Sequence, residues 1–179
     1  NSLEELRPLY ESAHTIASVG ASTNPRAPGG YVPRYLQAHG FRIVPVNPAR
    51  AEVLGEPSFA DLREVDVAVD VVQVFRPADE APASAKAAVE IGAKILWLQP
   101  GIRSEEAAAI GRDAGLTVVM GRCMGVVHGQ LGLGPGVHLG DEWQRGLAPP
   151  VCGEDEEPFL RVAGGSDLPI ETPLEHVRV

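Results

Sequence analysis

The residues best suited to chemistry form a short turn, Gly20-Ala21-Ser22. This turn ends the apolar run at residues 15–19 and precedes a segment whose apolar residues recur at helical spacing. A helix begins with unpaired N–H groups and a partial positive charge, so a turn that leads into a helix is suited to an anion. The sequence therefore predicts a phosphate-binding turn, and Gly29-Gly30 predicts a flexible start to the helix after it.

The elements that position this turn alternate along the first 128 residues. Strand-like runs occur at residues 15–20, 42–46, 67–74, 94–98 and 116–120. Helix-like segments occur at residues 2–12, 30–39, 79–92 and 104–114, with a weaker helix expected around residues 59–62. Strands this apolar are typical of a parallel sheet covered on both faces. The predicted fold class is α/β, a doubly wound parallel sheet of five strands with helices on both faces.

Ligands of such sheets bind beyond the carboxyl ends of the strands. Gly or Pro marks each of these ends as a tight turn, and four of the five ends have an arginine close by. We therefore predict an anion-binding rim at this edge of the sheet. Its candidate binding residues are Gly20, Ala21, Ser22, Arg26, Asn47, Pro48, Arg50, Val74, Phe75, Arg76, Gln99, Gly101 and Ile102.

The end of the second strand discriminates between ligands. NAD-binding folds place an acidic residue there to hold the ribose 2′-hydroxyl, whereas this chain has Asn47-Pro48 with Arg50 nearby. That composition favours a phosphorylated ribose, which leaves NADP open as a ligand. The G-x-G-x-x-G fingerprint that a dinucleotide pyrophosphate needs is absent, and this argues against either nicotinamide cofactor.

Charge and composition divide the chain in two. The net charge is −9, of which residues 129–179 carry −6, and this segment holds nine Gly and six Pro. We predict a domain at residues 1–128 and an irregular acidic extension at 129–179 that could bind a protein partner or a second copy.

The acidic balance argues against nucleic acid as a ligand. Because no apolar run is long enough to span a membrane, a soluble, cytoplasmic protein is expected.

Several short motifs together resemble the stand-alone CoA-binding domain family, which is similar to the CoA-binding domain of the succinyl-CoA synthetase α subunit. The resemblance covers about residues 5–128. The motifs that carry it are Gly20-Ala21-Ser22 with Asn24-Pro25, Tyr31 to Leu36, His39 to Pro48, Asp70 to Pro77, Trp97 to Ile102 and Arg122-Cys123. The family implies a compact Rossmann-like domain that binds coenzyme A, with no established reaction.

The resemblance also implies a role for each part of the rim. The turn at residues 20–22 would face the CoA phosphates, and Asn47, Pro48 and Arg50 would lie by the phosphorylated ribose. Residues 74–76 would wall the adenine side, and residues 99–102 would line the exit of the pantetheine arm.

The sequence offers no convincing nucleophile or general base, and so we predict no reaction. Cys123 is expected to be a small buried residue, and His128 with His138 lack the carboxylate or cysteine pattern of a metal site. Three hypotheses follow from the sequence: a non-catalytic binder of CoA or acyl-CoA acting as a carrier, sensor or subunit, an NAD(P)-binding oxidoreductase-like or regulatory protein, and an interaction module whose nucleotide site has decayed.

Overall fold

The computed structural model describes residues 2–133. The acidic extension predicted at 129–179 lies outside these residues except for its first positions, 129–133, and His138 lies outside them as well. The strands, in chain order, are β1 (Thr15–Val19), β2 (Arg42–Val46), β3 (Glu52–Val53), β4 (Glu56–Pro57), β5 (Val71–Val74), β6 (Ile95–Leu98) and β7 (Thr117–Met120). The helices are α1 (Leu3–Ser12), α2 (Pro28–Ala38), α3 (Ala81–Glu90), α4 (Glu105–Asp113) and α5 (Met124–Gln130).

The central sheet has five parallel strands in the order β2-β1-β5-β6-β7. The chain first winds outward from β1 to β2 and then returns to place β5 on the other side of β1. The direction of winding therefore reverses between β1 and β5, which is where such folds open a ligand crevice. The predicted α/β class and five-stranded parallel sheet are confirmed.

Alternate residues of the strands pack into two different hydrophobic layers. Ile16, Val71 and Trp97 belong to the layer that contains residues of α1, α2 and α5. Val72 and Leu96 belong to the layer of α3 and α4. Because both faces are covered, the strands carry apolar residues almost continuously, as the sequence indicated.

Side-chain hydrogen bonds define several element boundaries. The Ser2 hydroxyl accepts the Glu5 N–H at 3.3 Å while the Glu5 carboxylate accepts the Ser2 N–H at 2.8 Å, a capping box that begins α1 as predicted. The third strand of the sheet was expected from residue 67 but begins at Val71. The polar residue just before it, Asp70, instead joins neighbouring strands at their amino ends.

Three donors converge on the Asp70 carboxylate. The N–H groups of His14 and Thr15 donate to it at 2.9 and 3.1 Å, and the Lys94 ammonium does so at 2.7 Å. Burial alone raises the pKa of Asp70, but these hydrogen bonds outweigh it and lower the pKa to about 2. A carboxylate thus ties the starts of β1, β5 and β6 together.

The segment between β2 and β5 differs from the sequence prediction. The weak helix expected around residues 59–62 is absent: the segment forms the β3–β4 hairpin before these residues and a 3₁₀ turn at Leu62–Glu64. The hairpin turns at Leu54 and Gly55, which both have positive φ (58° and 76°), the combination that a tight two-residue hairpin turn requires. Phe59 then forms an isolated parallel bridge with Val46, the last residue of β2.

Helix α5 was not anticipated, because its glycines resemble a loop. It runs through the position assigned as the start of the extension, so residues 129 and 130 are helical. Met124, Val127 and His128 of this helix are buried against α1 and α2. Within residues 2–133, none of the helices is both long and apolar enough to cross a bilayer.

Candidate functional site

The crevice between β1 and β5 is formed by the turn at Gly20 and the residues after β5. Gly20 has φ +86°, a left-handed conformation that favours glycine. A Cβ on Gly20 would lie 3.1 Å from the Arg76 Cδ and 3.3 Å from the Phe75 Cβ. The structure therefore brings together three of the predicted site residues, Gly20, Phe75 and Arg76, at the switch point of the sheet.

The backbone N–H groups of the predicted phosphate turn are already used within the protein. Those of Gly20, Ala21 and Ser22 donate to the carbonyl oxygens of Val46, Ser18 and Gly29, respectively. Ala21 is also completely buried. The turn can offer a ligand its Ser22 hydroxyl, but further N–H donors have to come from the helix that follows.

Helix α2 begins beside the turn without a side-chain cap. Its N-cap residue is Ala27, and Pro28 at the first helical position has no N–H. The Gly29 N–H has no partner among the described residues. An uncapped helix N-terminus is an anion site because its N–H groups and its dipole both favour negative charge.

Gly29 and Gly30 have a role other than the flexible start that the sequence suggested. A Cβ on Gly29 would lie 2.4 Å from the Gly20 carbonyl oxygen, and one on Gly30 would lie 2.0 Å from the Asn24 carbonyl oxygen. Both glycines are buried within the helix. Their missing side chains let the first turn of α2 pack directly against the residue 20–24 loop, a packing role that the sequence did not indicate.

The end of β2 is joined to the same loop by one side chain. The Asn47 Nδ2 donates to the Ala21 carbonyl at 2.7 Å, and the Asn47 Oδ1 accepts the Ala49 N–H at 2.8 Å. Pro48 and Arg50 lie in the turn that follows and are exposed. Asn47 therefore fixes the spacing between two strand ends, while Arg50 is free to reach a ligand.

An ion pair that sequence reasoning missed holds Arg76. Its Nε and Nη2 each donate to one oxygen of the Glu80 carboxylate, both at 2.8 Å. This hydrogen bonding is the main reason that the pKa of Arg76 is raised above its usual value. The spacing of the two residues, i and i+4, was the available signal. Arg26, the other predicted arginine on this side, is exposed.

Two predicted ligand-binding residues at the end of β6, Gln99 and Ile102, are buried in the protein. The Gln99 Oε1 accepts the Met124 N–H at 3.4 Å, and the Gln99 Nε2 is buried with no partner among the described residues. Ile102 is buried, whereas Gly101 is exposed with φ +82°. The Val74 side chain is likewise fully buried, in the α3–α4 layer. A ligand at this edge would meet the main chain of Val74 rather than its side chain.

The residues after β7 are packed into the core. Cys123, the N-cap residue of α5, is buried, and the Trp97 Nε1 donates to the Arg122 carbonyl at 2.7 Å. His128 is buried, and its Nδ1 lies 3.1 Å from the Tyr35 hydroxyl. These contacts give Cys123 and His128 packing roles, as the sequence suggested for Cys123.

A cleft opens beside the phosphate turn, between α2 and the β3–β4 hairpin. Its volume is about 210 Å³. It is lined by Ser22, Thr23, Pro25, Gly30, Arg34, Glu52, Val53 and Leu54. The described residues include no cluster of three or more potential metal-ligating His, Cys, Asp or Glu side chains.

Comparison with known protein families matches residues 14–129 to the CoA binding domain. The chain belongs to the CoA-binding domain family. The matched CoA-binding domain includes every strand of the sheet and begins after α1. Family membership supports the binding of coenzyme A in general and confirms the resemblance that the motifs indicated.

Similar proteins extend over most of this CoA-binding domain. The uncharacterized protein YneT of Bacillus subtilis (strain 168) is 35% identical over 124 residues, which are 69% of this chain and 92% of YneT. The structure of cell-free ID.343 from Thermus thermophilus has a TM-score of 0.70 and 38% identity, over 73% of this chain and 99% of that one. The dinucleotide-forming acetyl-coenzyme A synthetase 1 of Ca. Korarchaeum cryptofilum, in complex with phosphate and ADP, has a TM-score of 0.56 and 25% identity, over 64% of this chain and 26% of that one.

The described residues fit coenzyme A as a ligand of the CoA-binding domain. Gly20 lets Phe75 and Arg76 lie close to the turn, because any Cβ there would crowd them, and the adjacent α2 N-terminus is uncapped. Arg76 contacts the same turn, and Arg50 follows the neighbouring strand. This donor set matches a ligand with a pyrophosphate and a separate ribose phosphate.

Proposed function

We propose that this chain binds coenzyme A or an acyl-CoA across the carboxyl ends of β1, β2 and β5. The observation that carries the proposal is the contact of Gly20 with Arg76 at the switch point, directly beside the uncapped start of α2. A glycine turn, a helix N-terminus and a guanidinium at one place favour a pyrophosphate. The family match supports coenzyme A as this ligand.

The remaining rim residues have distinct parts in this proposal. The Ser22 hydroxyl and the first turn of α2 bind the pyrophosphate together with Arg76. Arg50 binds the 3′-phosphate of the ribose, and Asn47 keeps that strand end at a fixed distance from the phosphate turn. Phe75 packs beside the nucleotide, and the pantetheine arm passes over Gly101.

Calorimetry with CoA and 3′-dephospho-CoA tests this placement. We expect the wild-type chain to prefer CoA, and Arg50→Ala to lose that preference while its affinity for 3′-dephospho-CoA stays the same. Arg42→Ala is the matched control, since Arg42 is exposed at the amino end of β2, at the opposite edge of the sheet. Equal affinity of the wild-type chain for both ligands would contradict the role of Arg50. NADPH serves as the rival ligand, and tighter binding of NADPH would favour an oxidoreductase-like site.

We further propose that the chain binds without catalysing a reaction, as a carrier, sensor or subunit of a larger acyl-CoA system. Coenzyme A supplies a thiol that carries acyl groups as thioesters. The Cys123 thiol, which follows β7, and the His128 ring, which packs against His39 and Phe41, are both buried, and the His128 Nδ1 lies 3.1 Å from the Tyr35 hydroxyl. Incubation with acetyl-CoA tests this point: we expect no release of free CoA above the rate without protein, and turnover would overturn it.

A further inference from the structure

The ion pair between Arg76 and Glu80 lies at the carboxyl end of β5, beside the Gly20 turn. Glu80 is the N-cap residue of α3, yet its carboxylate makes no capping hydrogen bond to that helix. Both carboxylate oxygens accept from Arg76 instead. A bidentate pair between carboxylate and guanidinium fixes orientation as well as distance.

The geometry leaves part of the guanidinium available to a ligand. Arginine has five N–H donors, and Glu80 takes two of them, those on Nε and on one side of Nη2. The other three have no partner in the described part of the chain. The Arg76 side chain also lies against Gly20, where a Cβ would be only 3.1 Å from its Cδ. One edge of the guanidinium is therefore held by Glu80, the Cδ of the same side chain lies beside the Gly20 turn, and three N–H donors are left for a ligand.

We propose that Glu80 is a positioning residue for CoA, which holds the Arg76 guanidinium across the Gly20 turn so that its open edge meets the pyrophosphate. This inference rests on the proposed function and adds a residue that neither the motifs nor the family match assigns. The pair is about half exposed, with side-chain exposures of 48% and 45%, so its value lies in ligand binding rather than in fold stability.

The proposal predicts that removing the Glu80 carboxylate weakens CoA binding, whereas simple charge repulsion predicts that its removal strengthens binding. This difference makes the proposal testable. A carboxylate near an anion site repels the ligand, so its removal should strengthen binding if Glu80 did nothing else. Asp79 provides the matched case, because its carboxylate acts on Arg76 through space without a hydrogen bond to it. Asp79→Asn and Glu80→Gln remove the same charge at adjacent positions, but only the second breaks the bidentate pair.

Calorimetric titration of the full-length chain with CoA at low salt is the experiment. We expect Glu80→Gln to weaken CoA binding by about fivefold or more and Asp79→Asn to leave it equal or slightly tighter. In an Arg76→Ala background, Glu80→Gln should have no further effect, because Glu80 acts through Arg76. Both single variants should keep the thermal midpoint of the wild-type chain, which excludes a loss of fold.

The possible outcomes separate the two proposals. If the wild-type chain binds CoA but Glu80→Gln binds as tightly as Asp79→Asn, Glu80 does not position Arg76 and this inference is overturned. The same holds if Glu80→Gln weakens binding equally with and without Arg76. If the wild-type chain does not bind CoA at all, the proposed function itself fails.

Discussion

At the scale of single residues, the proposed site depends on a glycine, Gly20, and on two side chains, those of Asn47 and Glu80, that connect neighbouring parts of the chain. Gly20 admits Arg76 to the phosphate turn, Asn47 ties the β1 and β2 ends together, and Glu80 holds Arg76 by one edge. The sequence identified Gly20, Asn47 and Arg76 as candidates, because each follows a strand. It missed Glu80, because an i, i+4 pair of charges is usually only a solvated surface feature.

Gly20→Ala should reduce both stability and CoA binding. The left-handed φ of Gly20 costs an alanine about 1 kcal/mol of folding free energy, and the new methyl also displaces Arg76. Gly40→Ala is the matched control, since Gly40 has φ +93° but a Cβ there would have no described atom within 4 Å. Urea unfolding should show a similar decrease in the free energy of unfolding for both variants. Calorimetry should show weaker CoA binding only for Gly20→Ala. Unchanged CoA affinity in Gly20→Ala would remove the turn from the site.

His128 gives the fold a pH dependence on the acid side of neutrality. Burial, with added repulsion from His39, lowers the pKa of His128 from 6.5 to about 4. The unfolded chain takes up this proton below about pH 6.5 and the folded chain only near pH 4, so stability is full above the first value and falls between them. The loss amounts to about 3 kcal/mol at most.

Urea unfolding between about pH 7 and pH 4.5 measures this loss. We expect His128→Gln to flatten the pH dependence, because glutamine cannot take up the proton. His14→Gln is the control, since His14 is exposed. An equally steep fall in His128→Gln would assign the pH dependence to other groups.

At the scale of elements, the critical junction is the first turn of α2 against the loop of β1. Gly29 and Gly30 allow helix backbone to contact loop backbone, and Asn47 adds a third element to the same loop. The sequence predicted a helix here and an anion-binding start for it. It could not explain the two glycines, because a close approach of two backbones depends on tertiary packing.

Gly30→Ala should be strongly destabilising. Its Cβ would lie 2.0 Å from the Asn24 carbonyl oxygen, a rigid backbone atom, so α2 or the loop must shift at a cost of about 2 kcal/mol or more. The control is Gly125→Ala in α5, whose Cβ would come no closer than 3.3 Å to a neighbour, the Tyr35 ring. That variant should change the free energy of unfolding by less than about 1 kcal/mol, because alanine also favours the helix. An equal decrease in the free energy of unfolding for Gly30→Ala and Gly125→Ala would show that the contact between α2 and the loop can relax.

At the scale of the whole molecule, the charge of the chain opposes the binding of an anionic ligand. The net charge is −9, and residues 134–179 carry −6 of it, which leaves a third on the residues that include the rim. The Thermus thermophilus relative matches 73% of this chain with 99% of its own length. A fold of this kind therefore exists without a comparable extension.

A chain ending at residue 133 should fold and bind CoA more tightly than the full chain at low salt. Removing six net negative charges weakens long-range repulsion of CoA, and added salt screens that repulsion. We expect the difference in affinity to be clear at about 20 mM salt and to disappear near about 500 mM. Differential scanning calorimetry checks that the shortened chain still unfolds cooperatively. A difference that persists at high salt would indicate a role of the extension other than its charge.

The sequence by itself determined the α/β class, the parallel sheet and the capping box of α1, and it predicted the edge at which we propose the site. These features follow from local periodicity, turn residues and the rule that ligands meet the carboxyl ends of parallel strands. It did not determine helix α5 or the start of β5, where Gly125 and Asp70 have tertiary partners, and it did not determine the β3–β4 hairpin, whose turn requires positive φ at Leu54.

Tertiary structure alone decided which rim residues can meet a ligand. It buried Ala21 and Ile102, used the N–H groups of the phosphate turn internally, and joined Arg76 to Glu80. The physical reason is that hydrogen-bond partners and burial depend on which strands become neighbours. The order β2-β1-β5 places residues 20 and 76 in contact although they lie far apart in sequence, and no local pattern encodes that contact.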